Sequence, residues 1–461
     1  MDFNSFGKFE LSCKLLGGKR LSVQYVHTMH ACPHIQIFTN VLTMKMFKHS
    51  VSVASSGSSV NQNLASATYV VGTYNRVASG YYHSIALKRD GSVWAAGINK
   101  NGQLGDGSII DRKYFRKIIS SYGVNVAAGI AHSVVLKSDG SVWTTGLNNH
   151  GQLGDGSLNN SYSFKMVSSY ATAVAAGGYT TLMVKQDGTV WMAGLNAFLD
   201  LDQEDVEGYA YHKSFIHIFT GAQALASGDF HLMILGNAGY LWVVGRNDSG
   251  QLGEGTLKYS QRLMAVLADV TAIAAGGSHS MALRKDGSVW TTGSNYYGQL
   301  GIAWSTFKVQ WIQVVSSEVL AMAAGSVHSL IMKEDRSVWA AGRNGNGQLG
   351  DGTTLTRRRF VVVLTGGVVA VSAGLYHSMV VKNDGTLWAT GLKLFGQGGD
   401  NSFTRTHLTF VRVAPVYYQF STTRTYYNVN YNLNRKLVWL KTTASVAGAC
   451  SVAFCCIHQC F

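Results

Sequence analysis

Proline is almost missing from this chain, with two residues in 461, Pro33 and Pro415. Charge is scarce as well, at 13% against the roughly one quarter usual in globular domains. No stretch reaches the roughly 18 consecutive apolar residues of a membrane-spanning helix, and the nearest approach, residues 444–457, is short and rich in small side chains. No membrane partner is expected. Cysteine is confined to Cys13, Cys32, Cys450, Cys455, Cys456 and Cys460, all outside residues 64–416. A disulfide-stapled secreted fold would place cysteines between the elements it ties together, so a reducing compartment, cytoplasm or nucleus, is expected. Asp2, Lys8 and Glu10 interrupt any apolar run near the start, and no signal peptide is expected. Catalytic constellations are missing too. There is no Gly-rich phosphate loop with its lysine, no nucleophile elbow and no zinc-protease motif, so a non-catalytic protein without metal or cofactor is expected.

What is present is glycine, 52 residues, with 46% apolar residues. That combination implies tight turns around a large core, an all-β reading. Net charge is +14, of which residues 1–63 and 416–461 carry +8. The remaining +6 is too thinly spread to argue for nucleic acid or chromatin, which need a clustered basic patch.

Periodicity organises the middle of the chain. Trp94, Trp143, Trp191, Trp242, Trp290, Trp339 and Trp388 follow one another at spacings of 48 to 51 residues. Eleven residues before each stand His83, His132, Thr180, His231, His279, His328 and His377, and three before those a glycine, from Gly80 to Gly374. Each copy reads as strands. In the fifth, 270–275 is a β-rich run, Lys285-Asp286-Gly287 is a hairpin turn whose glycine supplies positive φ, and 288–292 returns carrying Trp290 as an apolar plug. The sixth copy has Asp335-Arg336 at that turn, which implies strain or a different turn. Gly-Gln-Leu-Gly follows the hairpin, as at 102–105, 151–154, 250–253 and 347–350, with the leucine as a core anchor and an outer strand such as 360–364 after it. Four strands in about 49 residues make one blade. A lone blade cannot bury both faces, and a closed ring of seven buries them all.

The string from Ala274 to Gly301, Ala-Ala-Gly-Gly-Ser-His-Ser through Lys-Asp-Gly-Ser-Val-Trp-Thr-Thr-Gly-Ser-Asn to Gly-Gln-Leu-Gly, resembles the repeats of the regulator of chromosome condensation family. The resemblance implies a seven-bladed β-propeller. The family includes an exchange factor for the GTPase Ran, ubiquitin-ligase components, a plant ultraviolet-B receptor and scaffolds. It often places proline in the outer strand, where this chain has Phe164, Leu263 and Phe360. The receptor's extra tryptophans follow the repeat glycine. Here that column is Tyr81, Ile130, Gly178, Asp229, Gly277, Ser326 and Leu375, so photoreception is not expected.

Six histidines in one column invite a metal reading, but seven-fold geometry does not suit tetrahedral coordination, and hydrogen bonds to backbone within or between blades are expected instead. The tryptophans are expected in the blade cores. Repeat three departs most. It has Thr180 for histidine, and in place of Gly-Gln-Leu-Gly it runs from Asn196 into Asp200, Asp202, Glu204, Asp205 and Glu207. Acids this dense repel one another and avoid burial, which points to a loop against a basic protein surface, with a solvated, decayed repeat as the alternative. Arg357, Arg358 and Arg359, and likewise Arg112, Lys113, Arg116 and Lys117, follow the Asp-Gly turn and are expected at equivalent places on two blades, either contacting phosphates or as a solvated strand. The tail cysteines and His458 match no zinc-finger spacing or prenylation box.

The expected organisation is an N-terminal extension (1–63), a propeller (64–416) and a Cys-containing C-terminal extension (417–461) in an all-β monomer. The expected function is a protein-interaction scaffold, with guanine-nucleotide exchange on a Ran-like small GTPase as the alternative. Partner contacts are assigned to Asp200, Asp202, Glu204, Asp205, Glu207, Arg357, Arg358 and Arg359.

Overall fold

A computed structural model describes residues 7–14, 20–27, 74–196, 211–402, 404–413, 421–424, 442–446 and 449–451. Residues 69–416 form one compact unit, and the terminal segments form another that holds a hairpin (Gly7–Lys14 with Arg20–His27) and a small three-stranded sheet. The larger unit contains seven four-stranded antiparallel sheets, each a simple meander of consecutive strands. Blade one runs through Tyr74–Ser79, His83–Lys88, Val93–Gly97 and Arg112–Ile119. The other blades occupy 123–168, 171–220, 222–267, 270–315, 319–364 and 368–412. No helix among the described residues is long and apolar enough to cross a membrane.

Apolar side chains on both faces of each sheet meet the neighbouring sheets, so the core lies between blades. Ile85, Leu87, Val93, Ala95 and Leu104 of blade one pack with Val126 and Val135 of blade two. Leu104, Leu153, Leu252, Leu300 and Leu349, the leucines of Gly-Gln-Leu-Gly, are fully buried. Each contributes about 2 kcal/mol of apolar burial.

The repeat glycines close the ring. A Cβ on Gly80 would stand 2.3 Å from Cε1 of His83 in its own blade and 2.5 Å from the carbonyl oxygen of Gly129 in the next. The same relation to the next blade's glycine carbonyl recurs at Gly129, Gly177, Gly228, Gly276, Gly325 and Gly374, whose partner is the carbonyl of Gly80. Any side chain here would push two blades apart.

One local expectation changes, and the alternative left at the sixth turn is decided in favour of strain. The tryptophans pack against the cores between blades, as expected, but only half-buried. Each sits one or two residues from the strand's start, at the hairpin edge, and keeps part of its surface in water. The Asp-Gly turn organises it: Asp139 Oδ1 accepts from Ser141 Oγ at 2.6 Å, Ser141 Oγ accepts from Trp143 Nε1 at 2.8 Å, and Lys137 Nζ lies 3.6 Å from the ring centroid. The sixth turn is the same turn as its counterparts, since Arg336 adopts φ 64° and donates its N–H to the Lys333 carbonyl at 2.9 Å. A non-glycine residue there is strained. The outer strand of blade six also starts earlier than residue 360, at Arg357.

Candidate functional site

Strand alternation sorts the connections onto two faces. The turn between the first and second strands and the long loop between the third and fourth share one face, the loop face. The Asp-Gly hairpins lie on the other.

Beneath the loop face, the histidine column forms a set of clasps. His83 Nε2 lies 2.9 Å from Ser133 Oγ of blade two, and that hydroxyl donates to the carbonyl of Gln103 in the loop of blade one at 2.6 Å. The serine proton is committed to the carbonyl, so the imidazole is the donor and carries its proton on Nε2. The histidines thus bond a hydroxyl of the next blade, which in turn bonds backbone. His132, His231, His279, His328 and His377 repeat the relay through Thr181, Ser280, Ser329, Ser378 and Ser84. Burial holds all six imidazoles far below their usual pKa, to about 3 in His83, His279 and His328 and about 4 in His132, His231 and His377.

The seam between blades three and four lacks this device. Thr180 replaces the histidine and bonds the Leu195 carbonyl of its own blade, Leu232 replaces the receiving hydroxyl, and repeat three has no Gly-Gln-Leu-Gly. Leu182, Met192, Leu232 and Val244 pack there, with half-buried Leu263 against them. A small pocket of about 30 Å³ opens beside them, lined among others by Thr180, Leu195, Asn196 and Asp229.

Aromatic side chains ring the axial mouth on the loop face. Tyr82 meets Phe395 edge-on at 5.1 Å, and His150 meets Tyr179 at 4.8 Å. The guanidinium of Arg343 lies 5.1 Å from the Tyr297 ring and 5.0 Å from the Tyr376 ring, joining blades five, six and seven. Farther out, Trp304 is 90% exposed, Tyr296 64% and Leu355 61%. At the centre, Tyr81 of blade one reaches across the axis and donates its hydroxyl to Asp229 Oδ2 of blade four. The column that follows the repeat glycine holds both residues. Its signal was one acid among otherwise neutral side chains, and reading the column for tryptophan alone missed it.

Arg357 and Arg112 open the outer strands of blades six and one, at equivalent places as expected. Each is paired at its Nε with the aspartate of its own loop, Asp351 or Asp106, at 2.7 Å. Arg358 reaches the backbone carbonyl of Tyr296 at 3.4 Å, and Arg359 is exposed. The structure therefore brings Arg358, but not Arg357, toward the aromatic face. Asp200, Asp202, Glu204, Asp205 and Glu207 lie outside the described residues, as do Cys455, Cys456, His458 and Cys460 of the tail. The strand ends that flank the acidic segment, Leu195 and Tyr211, emerge on the loop face.

Two profiles of the regulator of chromosome condensation (RCC1) repeat match the sequence, one at residues 75–103, 124–152, 270–299, 319–348 and 368–397, the other at 139–184, 238–283 and 335–381. Together they cover half of the chain. The matches stop at 184 and resume at 238, leaving out the part of repeat three that carries the acids. No curated protein matches the sequence. Among solved structures, human WBSCR16 superposes with a TM-score of 0.63 at 21% identity, over 70% of this chain and 94% of that one. Yeast RCC1 (Prp20), crystallised with Kap60, gives 0.62 at 19% identity, over 80% and 91%. Prp20p from Saccharomyces cerevisiae, described together with its binding properties to Gsp1p and histones, gives 0.62 at 20% identity, over 74% and 88%. At these identities the likeness is one of fold.

Proposed function

Because the chain belongs to the regulator of chromosome condensation repeat family, we propose that it is a protein-interaction scaffold that docks its partner on the loop face. One observation carries this reading: the face combines the aromatic ring around the axial mouth with the exposed Tyr296, Trp304 and Leu355. Exposed aromatics with an arginine among them are the composition that protein interfaces favour. The Arg358 cluster and the acidic segment of repeat three would set the polarity of the partner's surface. A photo-crosslinking residue at Trp304 should then capture a discrete protein partner in cells, and the same residue at Tyr122, on the hairpin face, should not. Equal capture from both positions counts against the loop face.

The second reading is nucleotide exchange on a Ran-like GTPase. It is favoured by the fold shared with yeast RCC1 and with Prp20p, whose binding properties to Gsp1p are described. Exchange needs no acid or base from the propeller, only a face that stabilises the nucleotide-free GTPase. Release of fluorescent GDP from Ran is measured with the full chain and with Asp200, Asp202, Glu204, Asp205 and Glu207 neutralised together. Acceleration lost in the neutralised chain supports exchange; no acceleration by folded protein removes it and leaves the scaffold.

A further inference from the structure

The axial mouth holds a carboxylate whose hydrogen bond within the scaffold is to a neutral hydroxyl, that of Tyr81. A cavity of about 110 Å³ lies on the axis at the loop face, walled by the inner-strand ends of all seven blades, mostly small residues with Tyr81 and Ile130, and among the described residues Asp229 is the one carboxylate or basic group on its wall. Among the described residues no lysine, arginine or histidine pairs with Asp229, and its bond is to the Tyr81 hydroxyl. Burial pushes its carboxyl pKa up.

The column is bare of side chains on both sides of Asp229. In the same column the neighbours on either side are Gly178 and Gly277, where other blades carry Tyr81, Ile130, Ser326 or Leu375. A Cβ on Gly277 would stand 2.9 Å from Asp229 Oδ2, and one on Gly178 would stand 2.2 Å from the Asp229 carbonyl. Neither glycine has the positive φ that would otherwise explain it. Side chains are therefore absent at two places, one where it would meet the Asp229 carboxylate and one where it would meet the Asp229 backbone. A half-buried carboxylate on an open cavity, held by one hydroxyl and with no cation of its own among the described residues, is left with charge that an arriving cation can compensate.

We propose that the mouth is a binding site for a guanidinium group, the end of an arginine side chain presented by the docked partner, with Asp229 as its anchor. The proposal rests on the loop face being the docking face. Arginine suits the place better than lysine for two reasons. Its planar head is weakly hydrated, so it loses less on entering a confined cavity, and its several N–H groups can be shared between a carboxylate and the surrounding hydroxyl and backbone oxygens. The Tyr81 phenol beside the acid offers a ring against which such a plane can lie.

The test uses the full chain with ethylguanidinium as probe, butylammonium as comparison, and saturation-transfer NMR as readout. Saturation should pass to ethylguanidinium in the wild type, with affinity at least tenfold weaker in Asp229→Asn and unchanged in Asp269→Asn, a carboxylate on the opposite face. The amide that replaces the carboxylate would keep an acceptor for Tyr81, so Asp229→Asn should melt at the wild-type temperature or above it. The proposal is overturned by equal transfer in Asp229→Asn, by none in the wild type, or by butylammonium binding as tightly. A melting temperature several degrees lower in Asp229→Asn also overturns it, because the carboxylate would then serve the fold. The probe needs no partner protein, so failure here removes the Asp229 site while the crosslinking result at Trp304 decides the docking face separately.

Discussion

The six clasped histidines make the propeller acid-labile in a window set by the unfolded chain. Each imidazole is neutral in the folded state, donates through Nε2, and has its Nδ1 edge against a repeat glycine, where a second N–H would find no acceptor among the described residues. Unfolded, the same rings titrate near 6.5. Between that value and the folded values of about 3 to 4, the unfolded state binds more protons, so stability falls as pH falls. At pH 5, about 1.5 units below the unfolded pKa, each histidine costs about 2 kcal/mol, at about 1.4 kcal/mol per unit. Six of them cost about 12 kcal/mol, comparable with the entire stability of a typical domain of about 5–15 kcal/mol. The loss should steepen below pH 6.5 toward six protons, about 8 kcal/mol per pH unit. Aspartates of the hairpin turns, such as Asp139 and Asp286, are held below their usual range and lose their contribution only at lower pH, so the two windows separate. Urea denaturation followed by tryptophan fluorescence at intervals from pH 7.5 to about 5 measures the slope. A slope of one proton or fewer would refute the clasp as described, because the rings would then have to accept protons in the folded state.

The remaining predictions follow from single contacts. Gly129→Ala meets the His132 ring and the Gly177 carbonyl and should cost about 3 kcal/mol or more, whereas Gly107→Ala, whose nearest neighbour is at 3.7 Å, should cost only the φ penalty of about 1 kcal/mol; denaturation midpoints compare them. Arg336→Gly relieves a left-handed φ and should stabilise by about 0.5–1 kcal/mol, read as a raised melting temperature. Thr180→His with Leu232→Ser should show a favourable coupling of about 1 kcal/mol in a double-mutant cycle, since each substitution alone buries a polar group without its partner. No coupling would mean that the seam has repacked beyond the reach of the clasp.

Period and turn chemistry made the blades legible, because the glycine, histidine, Asp-Gly and Gly-Gln-Leu-Gly columns each answer a local geometric demand that repeats around the ring. The tryptophans pack on the cores but are less buried than a large apolar strand residue implies, because they stand beside the hairpin, and in six of the seven the indole N–H is held by Ser or Thr. The clasp itself was hidden for another reason. Its three members, such as His83, Gln103 and Ser133, come from two blades, and only the ring brings them together. The same holds for Tyr81 and Asp229, 148 residues apart and on opposite sides of the axis.

The losses at the three–four seam follow from one another. A hydroxyl at position 232 would be buried facing Thr180, whose own hydroxyl is committed to Leu195, so without the histidine a serine there would cost stability and leucine is favoured. Without the hydroxyl there is no demand for the glutamine carbonyl, and so none for a Gly-Gln-Leu-Gly loop in repeat three. The aromatic residue that elsewhere covers the second glycine of that loop, Phe164 over Gly105 or Phe360 over Gly301, then has nothing to cover, and the matching residue in blade four is Leu263. Four substitutions scattered from 180 to 263 are one change, from a polar clasp to an apolar contact. That change frees the loop of repeat three from a structural duty carried by the other six, and it does so next to Asp229. A propeller that must keep its ring closed can vary its loop face most cheaply at the one seam where closure does not depend on the loop, and in this chain that is where the acidic segment stands.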